Sequence, residues 1–110
     1  MNKKAYIIAI VLLAFMSSSL HAASATGNVA TINLYGGNWG NSWAGSILFK
    51  LDTMPANVTW FYIEKDDISF SSFLSVLLAS KQTNSELIIH YDAQNINSIG
   101  YSGTMAISAP

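Results

Sequence analysis

The chain has 110 residues, no cysteine and a net charge of −1, with 10% charged and 51% hydrophobic residues. This length favours one small domain, which builds its core without disulfides. The low charge and the absence of arginine argue against nucleic acid and anionic membranes as partners, since both are recognised through basic side chains.

The N-terminal segment has the pattern of an export signal. Two lysines precede the apolar residues 5–16 (AYIIAIVLLAFM), and residues 23–25 form an Ala-x-Ala sequence. These features predict a secretory signal peptide over residues 1–25, with cleavage after Ala22 as an alternative. The apolar run is shorter than the about 20 residues that span a bilayer, so no stable membrane span is predicted after cleavage; an uncleaved anchor is the alternative.

Cleavage would leave a single domain over residues 26–110, exported to the periplasm or the medium. Three lysines (Lys50, Lys65 and Lys81) then stand against six acidic residues, a net charge of about −3. A domain of this size is near the lower limit for a single core, and oligomerisation is one way to cover its apolar surface.

Three strands are predicted in the first half of the domain. Residues 29–35 (VATINLY) and 46–52 (SILFKLD) alternate between apolar and polar side chains, and residues 58–64 (VTWFYIE) are β-branched and aromatic. Residues 34–43 (LYGGNWGNSW) are too rich in glycine for regular structure and are predicted to form a loop. Residues 53–57 form a turn, as their proline and asparagine indicate.

A helix is predicted over residues 69–81, where the period changes from two to 3.6. Its apolar stripe consists of Phe70, Phe73, Leu74, Leu77 and Leu78. The last four of these side chains are expected to plug one end of a barrel formed by the strands. Ser69 is a candidate N-cap, the preceding aspartates suit the positive end of the helix, and Lys81 suits its negative end.

The opposite face of this helix is small and uncharged. It consists of Ser71, Ser72, Ser75, Ala79 and Ser80. Small side chains allow another helix to approach closely, so this face is a candidate contact in a homo-oligomer. An ordinary solvated face is the alternative, since serine is tolerated on exposed helices.

Two further strands are predicted, over residues 86–91 and 99–108, joined by a polar turn at 92–97. The complete order is three strands, one helix and two strands, which is the order of the OB-fold barrel. We therefore predict a mainly β, OB-fold-like barrel of five short strands, with one α-helix between strands 3 and 4. Another small α+β sheet with a helix on one face is the alternative.

Catalysis is not predicted. His90 is the one histidine after the signal, and it is expected to point outward on its strand. A serine nucleophile needs a base that is oriented by an acid, and only His90 or a lysine could serve as that base; a surface histidine is the preferred interpretation of His90. Glu64, Asp66 and Asp67 are explained as a strand end followed by a helix start, so neither a metal site nor a cofactor is predicted.

Binding fits the sequence better. A sugar site combines an aromatic plate with groups that hydrogen-bond to hydroxyls, and the loop after the first strand offers both. The loop between strands 4 and 5 flanks the same surface in OB-folds and adds side-chain amides. The candidate ligand-binding residues are Tyr35, Asn38, Trp39, Asn41, Trp43, Gln94 and Asn95. The alternative is that Trp39 or Trp43 covers the barrel mouth.

The segment from residue 70 to 91 resembles the helix-then-strand segment in the binding subunits of pentameric A–B toxins of the subtilase-cytotoxin and typhoid-toxin type. A second resemblance, over roughly residues 45–107, is to small exported OB-fold proteins of Gram-negative bacteria. It rests on the LD-x-MP turn at residues 51–55 and the LL-x-x-K sequence at 77–81. The toxin subunits are exported OB-fold proteins that bind glycans as five-membered rings, and the resemblance implies the same fold, export and ring assembly for this chain. The predicted function is a non-catalytic, exported glycan-binding module. A module that binds another exported protein and has no sugar affinity is the alternative function.

Overall fold

The computed structural model describes residues 22–110, so most of the predicted signal segment lies outside the described residues. The elements are β1 (Ala22–Leu34), β2 (Ile47–Leu51), β3 (Trp60–Ile63), α1 (Phe70–Thr83), β4 (Glu86–Ile96) and β5 (Tyr101–Ser108). The prediction of five strands with one helix between the third and the fourth is confirmed. Within the described residues, no helix is long and apolar enough to cross a bilayer.

The five strands form one closed sheet. They pair in the order β1-β2-β3-β5-β4, and β4 pairs again with β1. All neighbours are antiparallel except β3 and β5, which are parallel. The first part of β1, residues 22–28, pairs with β4, and the part after it pairs with β2 across an irregularity between Val29 and Thr31. One strand thereby joins two sides of the barrel, the arrangement expected for an OB-fold-like architecture.

The core lies inside this barrel because alternate strand residues point inward. Its most deeply buried apolar side chains are Ile47, Phe49, Leu51, Phe61, Ile63, Leu77, Leu87 and Ile89. The ring of Phe61 lies 5.5 Å from that of Phe49 and 5.3 Å from that of Tyr91, between centroids. Ser102 is the register partner of Phe61 and is fully buried. Its small side chain leaves room for the aromatic rings.

Helix α1 packs against the barrel, but it is rotated relative to the prediction. Leu77 is fully buried, whereas Leu78, which was predicted to help close the barrel, is 48% exposed. Ser80, predicted on the outer face, is buried, and its hydroxyl donates to the carbonyl of Ser85. Leu77 and Ser80 are three residues apart, so they share the inward face, and Leu78 falls about 100° away from Leu77.

The ends of α1 are held by side chains that differ in part from those predicted. The Ser69 side chain makes no capping bond. Instead, the Asp67 carboxylate accepts the backbone N–H of Ser69 at 2.8 Å. At the other end Asn84 adopts the left-handed conformation that commonly terminates helices. The Lys81 ammonium donates to the carbonyl of Ala30 at 2.8 Å and so ties the helix to β1.

Candidate functional site

The outer face of β2, β3 and β5 carries an aligned set of aromatic side chains, since paired residues point to the same side of a sheet. Trp60 is the register partner of Tyr101, and Tyr62 is the register partner of Gly103. Along β3, Trp60 and Tyr62 point outward, and Phe61 between them points inward. The Lys50 ammonium lies 4.0 Å from the centre of the Trp60 ring, a cation–π contact that partly covers the indole.

The β1–β2 loop, residues 35–46, folds over this face through Trp43. The Trp43 ring lies 5.1 Å from Tyr62 and 5.2 Å from Tyr101, between centroids. Leu48, the register partner of Tyr62 on β2, is only 3% exposed although it is on the outer face. Trp43 is therefore a partly buried anchor on the side of the barrel. The alternative prediction was that a tryptophan covers the mouth of the barrel. Trp43 does cover part of the barrel, but it packs on the outer face, against Tyr62 and Tyr101.

The backbone of the loop holds Trp43 in this position. The Asn41 side-chain carbonyl accepts the N–H of Trp43 at 2.9 Å, and the Trp43 carbonyl accepts the N–H of Ser46 at 2.9 Å. Gly45 has φ +79°, and its N–H donates to the carbonyl of Tyr35 at 2.9 Å. A glycine suits this left-handed position because a side chain there would be strained. The side-chain carbonyl of Asn41 therefore stabilises the loop itself.

Trp39 has the opposite environment, because it is 51% exposed. Its ring lies 4.9 Å from that of Tyr35, tilted by 52°. Asn38 is exposed beside it, and Leu34, the last residue of β1, is 59% exposed. The loop thus presents Trp39 to solvent beside the half-buried Tyr35, while its other tryptophan holds it to the barrel.

A cleft of about 270 Å³ opens beside Trp43. Its lining residues are Ser42, Trp43, Ser46, Glu64, Lys65 and Asp66. Sequence reasoning did not assign Glu64, Lys65 or Asp66 to the site. The signal that could have found them is the register of β2 with β3. Ile47 pairs with Ile63, so the next residues outward, Ser46 and Glu64, come side by side at the loop.

Gln94 and Asn95 were predicted in a loop that flanks the aromatic residues, but they lie within β4. Tyr91 is paired with Thr104 and Ile96 with Ser102, so residues 92–95 form a large bulge opposite a single β5 residue. Among residues 22–110, no hydrogen bond joins either amide side chain to the β1–β2 loop. The structure brings five of the seven candidate residues onto one loop and leaves these two on β4.

The actual β4–β5 connection is shorter than predicted, and it is attached to β3. Thr59 donates its N–H to the carbonyl of Gly100 at 2.7 Å and its hydroxyl to that of Ile99 at 2.8 Å. Tyr101 directly follows this connection and contacts Trp43. The β1–β2 loop and the β4–β5 connection therefore meet on the same outer face of the barrel. The contact between them is made by Trp43 and Tyr101, not by the predicted amide side chains.

Gly103 gives a direct test of the aromatic packing. A Cβ on this glycine would lie 3.2 Å from the Tyr62 ring, which is tighter than an ordinary contact. We expect Gly103→Ala to lower the free energy of unfolding by about 1–3 kcal/mol, because Tyr62 and the overlying Trp43 must shift. Urea denaturation followed by tryptophan fluorescence measures this. Gly37→Ala is the control, because a Cβ at Gly37 meets nothing within 4 Å; equal effects of the two variants would contradict the packing.

Tyr62 should also make the stability depend on pH in the alkaline range. Burial raises the pKa of Tyr62 above its ordinary value of 10.0, and the Glu64 carboxylate raises it further. Above about pH 10 the unfolded chain loses this proton before the folded chain does, so the stability that Tyr62 confers falls as the pH rises.

We expect Tyr62→Phe to lose less stability than the wild type between about pH 9 and pH 11. Urea midpoints measured across that range test this. Tyr35→Phe is the control for the loss of a tyrosine elsewhere. The same alkaline slope in Tyr62→Phe and the wild type would show that another group causes the decline.

Among residues 22–110, the histidine His90 does not line the cleft. His90 lies on β4, where its Nε2 is 3.0 Å from the hydroxyl of Ser108 on β5. Among residues 22–110, no hydrogen bond joins His90 to a carboxylate that would orient it. In the same part of the chain, no group of three or more histidine, cysteine, aspartate or glutamate side chains is placed to hold a metal ion.

Comparisons with known proteins give no match: no protein-family model, no curated protein and no solved structure is significantly similar to this chain. The function must therefore be inferred from the surface itself. Its distinctive features are the exposed Trp39, packed beside the half-buried Tyr35, and the cleft beside Trp43.

Proposed function

We propose that this protein is a non-catalytic, exported glycan-binding module that uses the β1–β2 loop as its binding surface. The observation that carries the proposal is the 51% exposure of Trp39 on a loop that Trp43 anchors to the barrel. Large aromatic side chains are usually buried, so exposure on an anchored loop suggests that a ligand covers the ring.

The chemistry around the exposed ring suits a sugar. The apolar C–H face of a sugar can lie on the Trp39 indole, with Tyr35 packed beside it at 4.9 Å. Asn38 and Asn41 supply amides that hydrogen-bond to hydroxyls. Because the loop backbone is fixed by hydrogen bonds at Trp43, less conformational entropy is lost on binding.

The neighbouring cleft supports the same proposal. Its volume of about 270 Å³ is close to the lower limit of small-molecule sites, about 300 Å³, which suits a single sugar ring rather than a large cofactor. Hydroxyl and carboxylate groups line it together with one indole. The exposed Trp39 and the cleft would then bind successive parts of one oligosaccharide.

A glycan array with the domain and its Trp39→Ala variant tests the proposal. We expect the wild type to bind a defined set of glycans and the variant to lose most of that signal. Met105→Ala is the matched control, because Met105 is 57% exposed on β5 and does not line the cleft. Absence of glycan binding, or binding that is unchanged in Trp39→Ala, would refute the proposed site.

The second candidate function is a protein-interaction module without sugar affinity. The exposed Leu34 at the end of β1, directly before the loop, favours it, because the buried core of a protein interface is enriched in apolar side chains. Co-purification from the cell envelope of the native host separates the two functions. A partner that is retained by the wild type and lost with Trp39→Ala, together with a blank glycan array, would establish this second function.

The resemblance to toxin binding subunits adds a proposal of ring assembly. The exposed small side chains of α1 support it, with Ser71, Ser72 and Ser75 on the surface and Leu78 48% exposed beside them. Light scattering of the purified domain measures the oligomeric state. A monomer at the highest soluble concentration would exclude the ring.

Export itself can be tested at the mature N-terminus. Ala23, Ser24 and Ala25 are paired with β4, and Ala25 is 8% exposed within the core. Cleavage after Ala22 would preserve these pairs, whereas cleavage after Ala25 would remove them. N-terminal sequencing of protein from the periplasm or medium is expected to begin at Ala23, and a full-length chain in the cytoplasm would refute export.

A further inference from the structure

Two strand edges of the barrel are open. β3 pairs with residues 101–103 of β5 and goes no further, so within the described part of the chain residues 104–108 have β4 as their single strand neighbour. Likewise, residues 22–27 of β1 pair with β4, and β2 begins to pair with β1 at Val29. Among residues 22–110, no backbone group of a loop or helix is hydrogen-bonded to the backbone of either segment. Each segment therefore presents a row of unpaired N–H and C=O groups along one side.

The two open edges lie on opposite sides of one three-stranded sheet. β4 is the central strand, and His90 has Ser24 of β1 on one side and Ala106 of β5 on the other. Both outer strands are antiparallel to β4, so they run in the same direction. Ser24 and Ala106 are exposed. A second copy can therefore place its β1 edge beside the β5 edge of the first and extend the sheet.

The composition of the two edges favours contact between copies of this chain. Natural proteins protect an open edge with charged residues, proline or a bulge. Residues 22–27 (AASATG) and 104–108 (TMAIS) contain no charged residue and no proline, and the bulge between Thr104 and Ala106 is the one such feature in these segments. All six acidic residues lie elsewhere in the chain, so two negatively charged copies can meet here without bringing carboxylates into contact.

We propose that copies of this chain assemble head to tail, with residues 104–108 of one copy pairing with residues 22–27 of the next; this rests on the ring assembly proposed above. One type of contact then covers both open edges of every copy. Pairing of β5 with β5 of a second copy would instead leave the β1 edges open. A head-to-tail contact forms a closed ring when its rotation closes, and a filament when it does not.

Closure of the ring determines which residues of the two strands meet. A closed ring relates its copies by rotation, without translation along the axis. Where the strands run roughly along that axis, residues in one row of the sheet stay at the same height in every copy. Ser24 and Ala106 share the row of His90, so Ala106 of one copy faces Ser24 of the next. Within one copy these two residues are two strand spacings apart, about 10 Å.

Light scattering of the domain that begins at Ala23 tests this contact. We expect a discrete oligomer for the wild type. Ala106→Lys and Ser24→Lys should each lower the association constant by about tenfold or more, because a lysine on an edge strand opposes pairing. Ser24→Lys combined with Ala106→Glu should restore the oligomer, since opposite charges then face each other across the new pair.

Thr53→Lys is the matched control, because Thr53 is exposed on the β2–β3 turn and lies outside both edges. It should assemble like the wild type, and circular dichroism must show a folded barrel for every variant. A discrete oligomer that withstands both edge lysines would uphold the ring and overturn this contact. Dissociation by Ala106→Lys but not by Ser24→Lys would mean that β5 pairs with β5, and would also overturn it.

A wild type that stays monomeric at its highest soluble concentration would overturn the inference together with the ring, and would mean that a different polypeptide covers the edges. Glycan binding is measured separately on the array. Failure of the edge contact therefore leaves the proposed glycan-binding function standing, and a blank array leaves the edge contact standing.

Discussion

Replacement of Phe61 by alanine is expected to lower the free energy of unfolding by about 3–5 kcal/mol, the largest effect on stability of any change considered. Phe61 is fully buried, and its ring contacts Phe49 and Tyr91 at centroid distances of 5.5 and 5.3 Å. The cavity left by its removal lies between three strands, where backbone pairing on both sides limits collapse. Small domains are stable by only about 5–15 kcal/mol, so the variant is expected to lose a large part of its stability and to unfold at a lower temperature than the wild type.

Urea denaturation followed by circular dichroism measures this loss, with Trp39→Ala as the control. Trp39 is an aromatic residue of similar bulk that is 51% exposed, so its removal should change stability by no more than about 0.5 kcal/mol. A loss below about 1 kcal/mol in Phe61→Ala would mean that the barrel interior is not packed around this ring.

Trp43→Ala is expected to have the largest effect on ligand binding. The change removes one wall of the cleft and also releases the loop from Tyr62 and Tyr101, so contact and preorganisation are lost together. Affinity for the glycans that the wild type binds should fall at least about thirtyfold, as for central aromatic anchors in other interfaces. Calorimetry or biolayer interferometry with an array-positive glycan measures this.

Trp43→Phe separates the two contributions. Phenylalanine can keep part of the packing on Tyr62 and Tyr101, so its loss of affinity should be smaller than that of alanine. Circular dichroism must show a folded barrel for both variants. Unchanged affinity in a folded Trp43→Ala variant would show that neither the cleft nor the anchored loop contributes to binding.

The two tryptophans of the β1–β2 loop therefore have different roles, although they are four residues apart. Trp43 stabilises the loop on the barrel, whereas Trp39 is presented to solvent and packs beside the half-buried Tyr35. An anchored loop with an exposed aromatic tip is a way to build a recognition surface in a small barrel without disulfides. Among the glycines of this loop, Gly45 has the positive φ that favours glycine, whereas a Cβ on Gly36, Gly37 or Gly40 would meet nothing within 4 Å.

The sequence by itself determined the order of the elements, the single helix and most of the core. Alternation in residues 46–52 and the 3.6-residue period after Ser69 are local properties, because side-chain direction depends on the spacing of residues within one strand or helix. These patterns therefore identified Ile47, Phe49 and Leu77 as inward residues without knowledge of their partners.

Only the tertiary structure decided which residues meet at the candidate site. The pairing of β2 with β3 brings Ser46 beside Glu64, and the bulge in β4 places Gln94 and Asn95 within a strand rather than in the β4–β5 loop. The apolar stripe of α1 likewise did not determine how the helix is rotated on the barrel, which buries Ser80 and exposes Leu78. The physical reason is that register and rotation are set by pairing and packing between segments far apart in the chain, which local periodicity does not encode.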